Sequence, residues 1–134
     1  MVAAAVVVAV ALVLLARPIP AVENPYIRAT TRNSAGYFTL RNYGLLGYCV
    51  VDVEIITPEV MAMIHRTVKT GEGMHKMVEV DKVCVGPFGS LEFKPGGYHI
   101  MIMNPLNDVQ EVKVRLLLEN GVSLEFSAEV TRGV

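Results

Sequence analysis

The chain has 134 residues, with 12 Lys plus Arg against 13 Asp plus Glu and a hydrophobic fraction of 52%. That length suits one domain. A net charge near zero, no Trp and 7% aromatics provide neither the basic footprint nor the stacking platforms of a nucleic-acid binder.

Residues 2–15 are an unbroken apolar, uncharged run that ends at Arg17-Pro18. At about 1.5 Å per residue the run is shorter than a bilayer core, as in the h-region of a signal peptide. No Lys or Arg precedes it, and Ile19-Pro20-Ala21 is a poor cleavage site, so an uncleaved N-terminal membrane anchor is the alternative. A buried core helix fits less well, because the run has no polar face to show water. Either favoured reading gives residues 1–22 to the signal peptide or anchor and 23–134 to the folded domain. Both place that domain outside the cytoplasm, periplasmic or at the cell surface.

The remainder reads as short strands between turn signals: 26–30, 37–42, 48–56, 60–69, 74–80, 91–93, 98–103, 111–118 and 122–130. In 48–56, Val51, Val53 and Ile55 alternate with Asp52 and Glu54. Lys94-Pro95-Gly96-Gly97 supplies positive-φ positions, and Asn120-Gly121 is a strong hairpin signal. A short helical turn is expected near 58–60, and 81–90 reads as a loop. Strands at this spacing predict an all-β, antiparallel sandwich or barrel. The two cysteines, Cys49 and Cys84, fit either one disulfide or two buried thiols.

All three histidines, and every methionine except Met1, fall between Met61 and Met103. They form three combs: Met61-x-Met63-x-His65, His75-x-Met77 and His99-x-Met101-x-Met103. Side chains two apart on a strand share a face. Ile100 and Ile102 then take the core face, leaving His99, Met101 and Met103 to look outward or toward the end of the sandwich. Thioethers with imidazoles are a ligand set for copper, above all Cu(I), and thioether sulfur binds without losing a proton. Zinc is disfavoured: no Cys-x-x-Cys or His-Glu-x-x-His occurs, and zinc seldom uses Met.

The segment from His65 to Met103 resembles the periplasmic copper chaperones of the PCu(A)C type, the DUF461 family. Their motif is a His, ten residues, a Met, twenty-one residues, then His-x-Met. Met77 is followed by twenty-one residues and then His99-Ile100-Met101. Lys94-Pro95-Gly96-Gly97-Tyr98-His99 resembles the family's turn into its last ligand strand. Tyr26-Ile27-Arg28-Ala29-Thr30 and Ala35-Gly36-Tyr37-Phe38-Thr39-Leu40-Arg41-Asn42 resemble its opening strands. The pattern departs in one place: eleven residues separate His65 from Met77, and the surplus one looks like His75, placed in a strand bulge or in the Gly71–Gly73 turn.

The resemblance implies a cupredoxin-like or immunoglobulin-like β-sandwich that binds one Cu(I) through two His and two Met at an exposed site. His99 and Met101 lead, Met77 and His65 complete the four, and Met63, Met74, His75 and Met103 form a second group. It also implies delivery of copper to a membrane partner such as the CuA subunit of a haem–copper oxidase. Two other readings compete. A blue-copper electron-transfer protein needs a cysteine close to its late His and Met, whereas Cys84 lies fifteen positions before His99. A metal-free immunoglobulin-like interaction module would leave the clustering of the histidines unexplained. No Gly-x-Ser-x-Gly, P-loop or Gly-x-Gly-x-x-Gly occurs, so an enzyme is not expected.

Overall fold

The computed structural model describes residues 17–71 and 73–132; the apolar run 2–15 lies outside them. Ten strands follow in chain order: β1 (Pro20–Ala29), β2 (Ser34–Asn42), β3 (Tyr48–Thr57), β4 (Ala62–Lys69), β5 (His75–Glu79), β6 (Val83–Val85), β7 (Ser90–Phe93), β8 (Tyr98–Ile102), β9 (Glu111–Leu118) and β10 (Ser123–Arg132). They form one curled sheet in the order β5-β4-β8-β2-β1-β10-β9-β3-β6, with β7 paired to β2. The curl brings β3 against the segment that leads into β4, where Ile55 bridges Val60.

The all-β expectation holds, and so do most of the strands read from alternation. On β2 and β9 every second side chain is buried, including Phe38, Leu40, Val112, Val114, Leu116 and Leu118. Ile27, Ile55, Ile64, Phe93, Ile100 and Ile102 join them in one core. Gly36 lets β2 lie close to its neighbours: a Cβ there would meet Ile100 Cβ and Ile27 Cδ1 at 3.2 Å.

Four local features differ from the expectation. The first and last strands pair in parallel, Tyr26 opposite Glu129 through Ala29 opposite Arg132, so the sheet is mixed rather than wholly antiparallel. No hairpin links β1 to β10, so nothing forces them to run in opposite directions. Within the stretch read as the loop 81–90, residues Val83–Val85 form β6, which is too short to show a period. The expected helical turn is a turn at Pro58 and Glu59 that ends in the Val60 bridge. Lastly, β1 begins at Pro20, with Ile19 already hydrogen-bonded to the Asn42 side chain.

The cysteines form a disulfide, Cys49 to Cys84, across directly opposed positions of β3 and β6. The bridge ties a short edge strand to the sheet and closes a 35-residue separation. A Cys49→Ala, Cys84→Ala double variant is expected to lose about 2–4 kcal/mol of unfolding free energy, measured by urea denaturation. An unchanged midpoint would show that the bridge does not restrict the unfolded chain.

Candidate metal centre

The turn between β7 and β8 sets where β8 begins. Gly96 takes φ +84°, the Gly97 N–H donates to Lys94 O at 2.9 Å, and the Lys94 N–H donates to Tyr98 O at 3.0 Å. Glycine adopts this left-handed geometry without steric cost. The Gly97 carbonyl then accepts from two sides: the Thr67 N–H of β4 at 3.2 Å and His99 Nδ1 at 3.3 Å.

β4 and β8 pair with Ala62 opposite Ile102, Met63 opposite Met101, Ile64 opposite Ile100 and His65 opposite His99. The period of two sends Ile64, Ile100 and Ile102 into the core. Met63, His65, His99 and Met101 therefore share the other face, in two adjacent rows. One row further, the Met103 N–H donates to Met61 O at 2.9 Å, which continues the register.

β5 adds to the same face from the far side of β4. Glu79 lies opposite His65, Met77 opposite Thr67 and His75 opposite Lys69, without a register shift. Met77 is thus diagonal to His65, a spacing of about 7–8 Å between Cα atoms that a long side chain can span. The surplus residue in the His65–Met77 interval is taken up by the turn and makes no bulge: the Thr70 N–H donates to Met74 O at 2.8 Å and the Met74 N–H to Gly71 O at 3.4 Å. His75 and Met74 are exposed. The His75 row lies two rows from His65, about 13 Å along the strand.

His99 is not open to solvent, although the alternation placed it outward or toward the end of the sandwich. His99 is buried at 2% exposure, with the His65 ring set edge-on to it at a centroid distance of 5.7 Å. Met63, His65 and Met101 are half-buried, and Met77 is 54% exposed. Among the described residues, the buried side-chain polar atoms without a hydrogen-bond partner are His65 Nδ1 and His99 Nε2.

Burial pushes the His99 pKa below its ordinary value; the Gly97 hydrogen bond opposes this, and nearby His65 adds to the lowering. The neutral ring donates its Nδ1 proton to Gly97, which leaves a lone pair on the partnerless Nε2. Two imidazoles flanked by thioethers suit a soft metal ion. No group of three His, Cys, Asp or Glu gathers among the described residues. Sequence alternation pointed to His65, His99, Met63 and Met101 as face-sharing residues within their own strands. The position of Glu79 beside His65 depends on the β4–β5 register and was not legible.

Residues 20–130 match the model of a family described as "Putative lipoprotein LpqE-like". The chain belongs to the LpqE-like family. A relative from Rickettsia prowazekii, "Uncharacterized protein RP573", is 33% identical over 85 residues, covering 62% of this chain and 45% of that protein. The LpqE-like chain thus spans under half the length of that relative. Three solved structures share its fold. The apo PCuAC domain from PmoF1 has a TM-score of 0.68 at 20% identity, covering 87% of this chain and 100% of that one. The copper-bound PCuAC domain from PmoF2 gives 0.63 at 16% identity, over 87% and 99%. The solution structure of CuI-DR1885 from Deinococcus radiodurans gives 0.60 at 22% identity, over 89% and 83%. The LpqE-like chain has the all-β fold of PCuAC domains.

Because its pKa is lower in the folded protein than in the unfolded chain, His99 binds fewer protons when folded. Its contribution is complete above the unfolded value of about 6.5 and is lost as pH falls from there toward the folded value. Urea midpoints of the metal-free protein should fall on acidification through that window. His99→Gln should flatten the slope, and an identical slope in that variant would contradict the burial of His99.

Proposed function

We propose that the protein is an extracytoplasmic copper chaperone that binds Cu(I) through His65, His99, Met101 and Met77 and hands it to a membrane partner. The observation that carries this reading is the pair of partnerless buried ring nitrogens, one on each of two opposed histidines, beside a row of thioethers. A buried nitrogen without a partner costs about 1–3 kcal/mol, and a metal ion satisfies it. The fold shared with a copper-bound PCuAC domain and with CuI-DR1885 supports the same assignment.

Met77 is chosen as the fourth ligand because it sits diagonal to His65 on the exposed edge strand β5. There its sulfur is open to an incoming partner while the two imidazoles hold the ion from below. Transfer is ligand exchange: the exposed thioether leaves first, a donor of the recipient takes its place, and the imidazoles follow. The CuA subunit of a haem–copper oxidase is the proposed recipient. Thioether and neutral imidazole ligands suit an oxidising compartment, where the cysteines are already paired. That disulfide also removes the thiolate a blue-copper site requires. The apolar run 2–15 is the proposed leader or tether.

Titration of Cu(I) against a chromophoric competitor tests the site. The His99→Ala, Met101→Ala double variant should lose at least about 100-fold in affinity, some 2.7 kcal/mol. Met77→Leu should lose about 10-fold, near 1.4 kcal/mol. Unchanged affinity in the double variant would overturn the copper reading, and unchanged affinity in Met77→Leu would remove that residue from the ligand set.

A further inference from the structure

Beyond the four ligands, the same face carries a row of methionines that the copper reading leaves unused. Met61 and Met103 lie opposite one another at the end of the β4–β8 ladder, and Met63 stands one row inward. Packing does not account for the outer two. Met61 is 68% exposed and Met103 47%, while the neighbouring Ile102 and Ile64 fill the core from the other face. Exposed thioethers grouped on one strand pair cost solubility and contribute no core contact.

We propose that Met61, Met63 and Met103 form a second, all-thioether site for a soft monovalent cation, Cu(I) or Ag(I). Opposed residues on paired strands hold their Cβ atoms about 4.5–5.5 Å apart, and rows on one face are about 6.6 Å apart. Three side chains with three rotatable bonds each can converge their sulfurs on one ion from such positions. The site is trigonal, uncharged and proton-free, so it selects soft ions over Mg²⁺, Ca²⁺ or Zn²⁺.

The surroundings favour a cation. Met61 also lines an open groove between β3 and β4 that carries Asp52, Glu54 and Glu59 against a single Arg115. Arg115 is itself held by Glu54 at 3.1 Å and Glu125 at 2.7 Å. The net negative groove raises the local cation concentration at the Met61 end of the face. The Met61–Met103 row lies about 13 Å from the His65–His99 row, with Met63 and Met101 between. The second site is a landing position from which an ion passes along the thioethers to the imidazoles. This rests on the copper reading for the nature of the cargo and for the imidazole site that receives it.

Anaerobic titration with Cu(I), and separately with Ag(I), tests it on three proteins. Wild type should bind two equivalents. Met61→Leu, Met103→Leu should bind one, with the tight affinity unchanged, since leucine keeps the apolar volume at exposed positions. His99→Ala, Met101→Ala should keep one weaker equivalent whose X-ray absorption shows sulfur donors only. A single equivalent in wild type, or two retained in Met61→Leu, Met103→Leu, would overturn the second site. Tight binding unaffected in His99→Ala, Met101→Ala would instead overturn the first. Methyl resonances of methionine in the wild-type protein give a check independent of variant folding. The Met61 and Met103 methyls should shift with the second equivalent of Ag(I), and their silence would overturn the proposal.

Discussion

The register of β4 against β8 is the constraint on which the site depends. It sets His65 opposite His99 and Met63 opposite Met101, and it sends Ile64, Ile100 and Ile102 to the other face. Because side chains alternate with a period of two, a slip of one residue would exchange the faces. Isoleucines would then meet water, losing about 1.5–3 kcal/mol each, and imidazoles would enter the core. Two further features hold the register. Gly36 permits the approach of β2 to Ile100 and Ile27, and the Gly97 carbonyl accepts from both Thr67 and His99. The same carbonyl therefore positions a strand and fixes a histidine tautomer.

The two partnerless imidazole nitrogens are a local stability cost placed at the proposed copper site. A buried acceptor without a donor is unfavourable by about 1–3 kcal/mol, and such groups gather at functional sites because the surrounding structure holds them in place. Here the holding structure is the central β4, flanked by β5 and β8. The disulfide sits at the opposite end of the strand order, on β3 and β6, where it pins the other edge and keeps thiolates out of any competition for metal.

Burial is graded along the face. His99 is enclosed, His65, Met63 and Met101 are half-buried, and Met77, Met61 and Met103 are open. The stronger nitrogen donors are therefore fixed and the weaker sulfur donors accessible. For the proposed carrier this arrangement lets a recipient displace a thioether before it meets an imidazole. An enclosed four-ligand cage would have no such first step.

The sequence alone determined the strand-rich fold, the isoleucine and histidine–methionine faces within each strand, and the turn into β8, because these depend on alternation and glycine geometry over a few residues. The spacing from Met77 to His99 and Met101 was legible for the same reason: it is a distance along the chain. Only the tertiary structure decided what lies across from what. It paired Cys49 with Cys84, and it found a strand at Val83–Val85 where three residues show no period. It joined β1 to β10 in parallel, although no hairpin signal links them. The surplus residue near His75 went into a turn, which left Met77 on the face of His65 and His75 two rows away. His99, read as looking outward or toward the end of the sandwich, is buried, with the His65 ring edge-on to it. Each of these depends on contacts between segments far apart in the chain, and local periodicity carries no information about them.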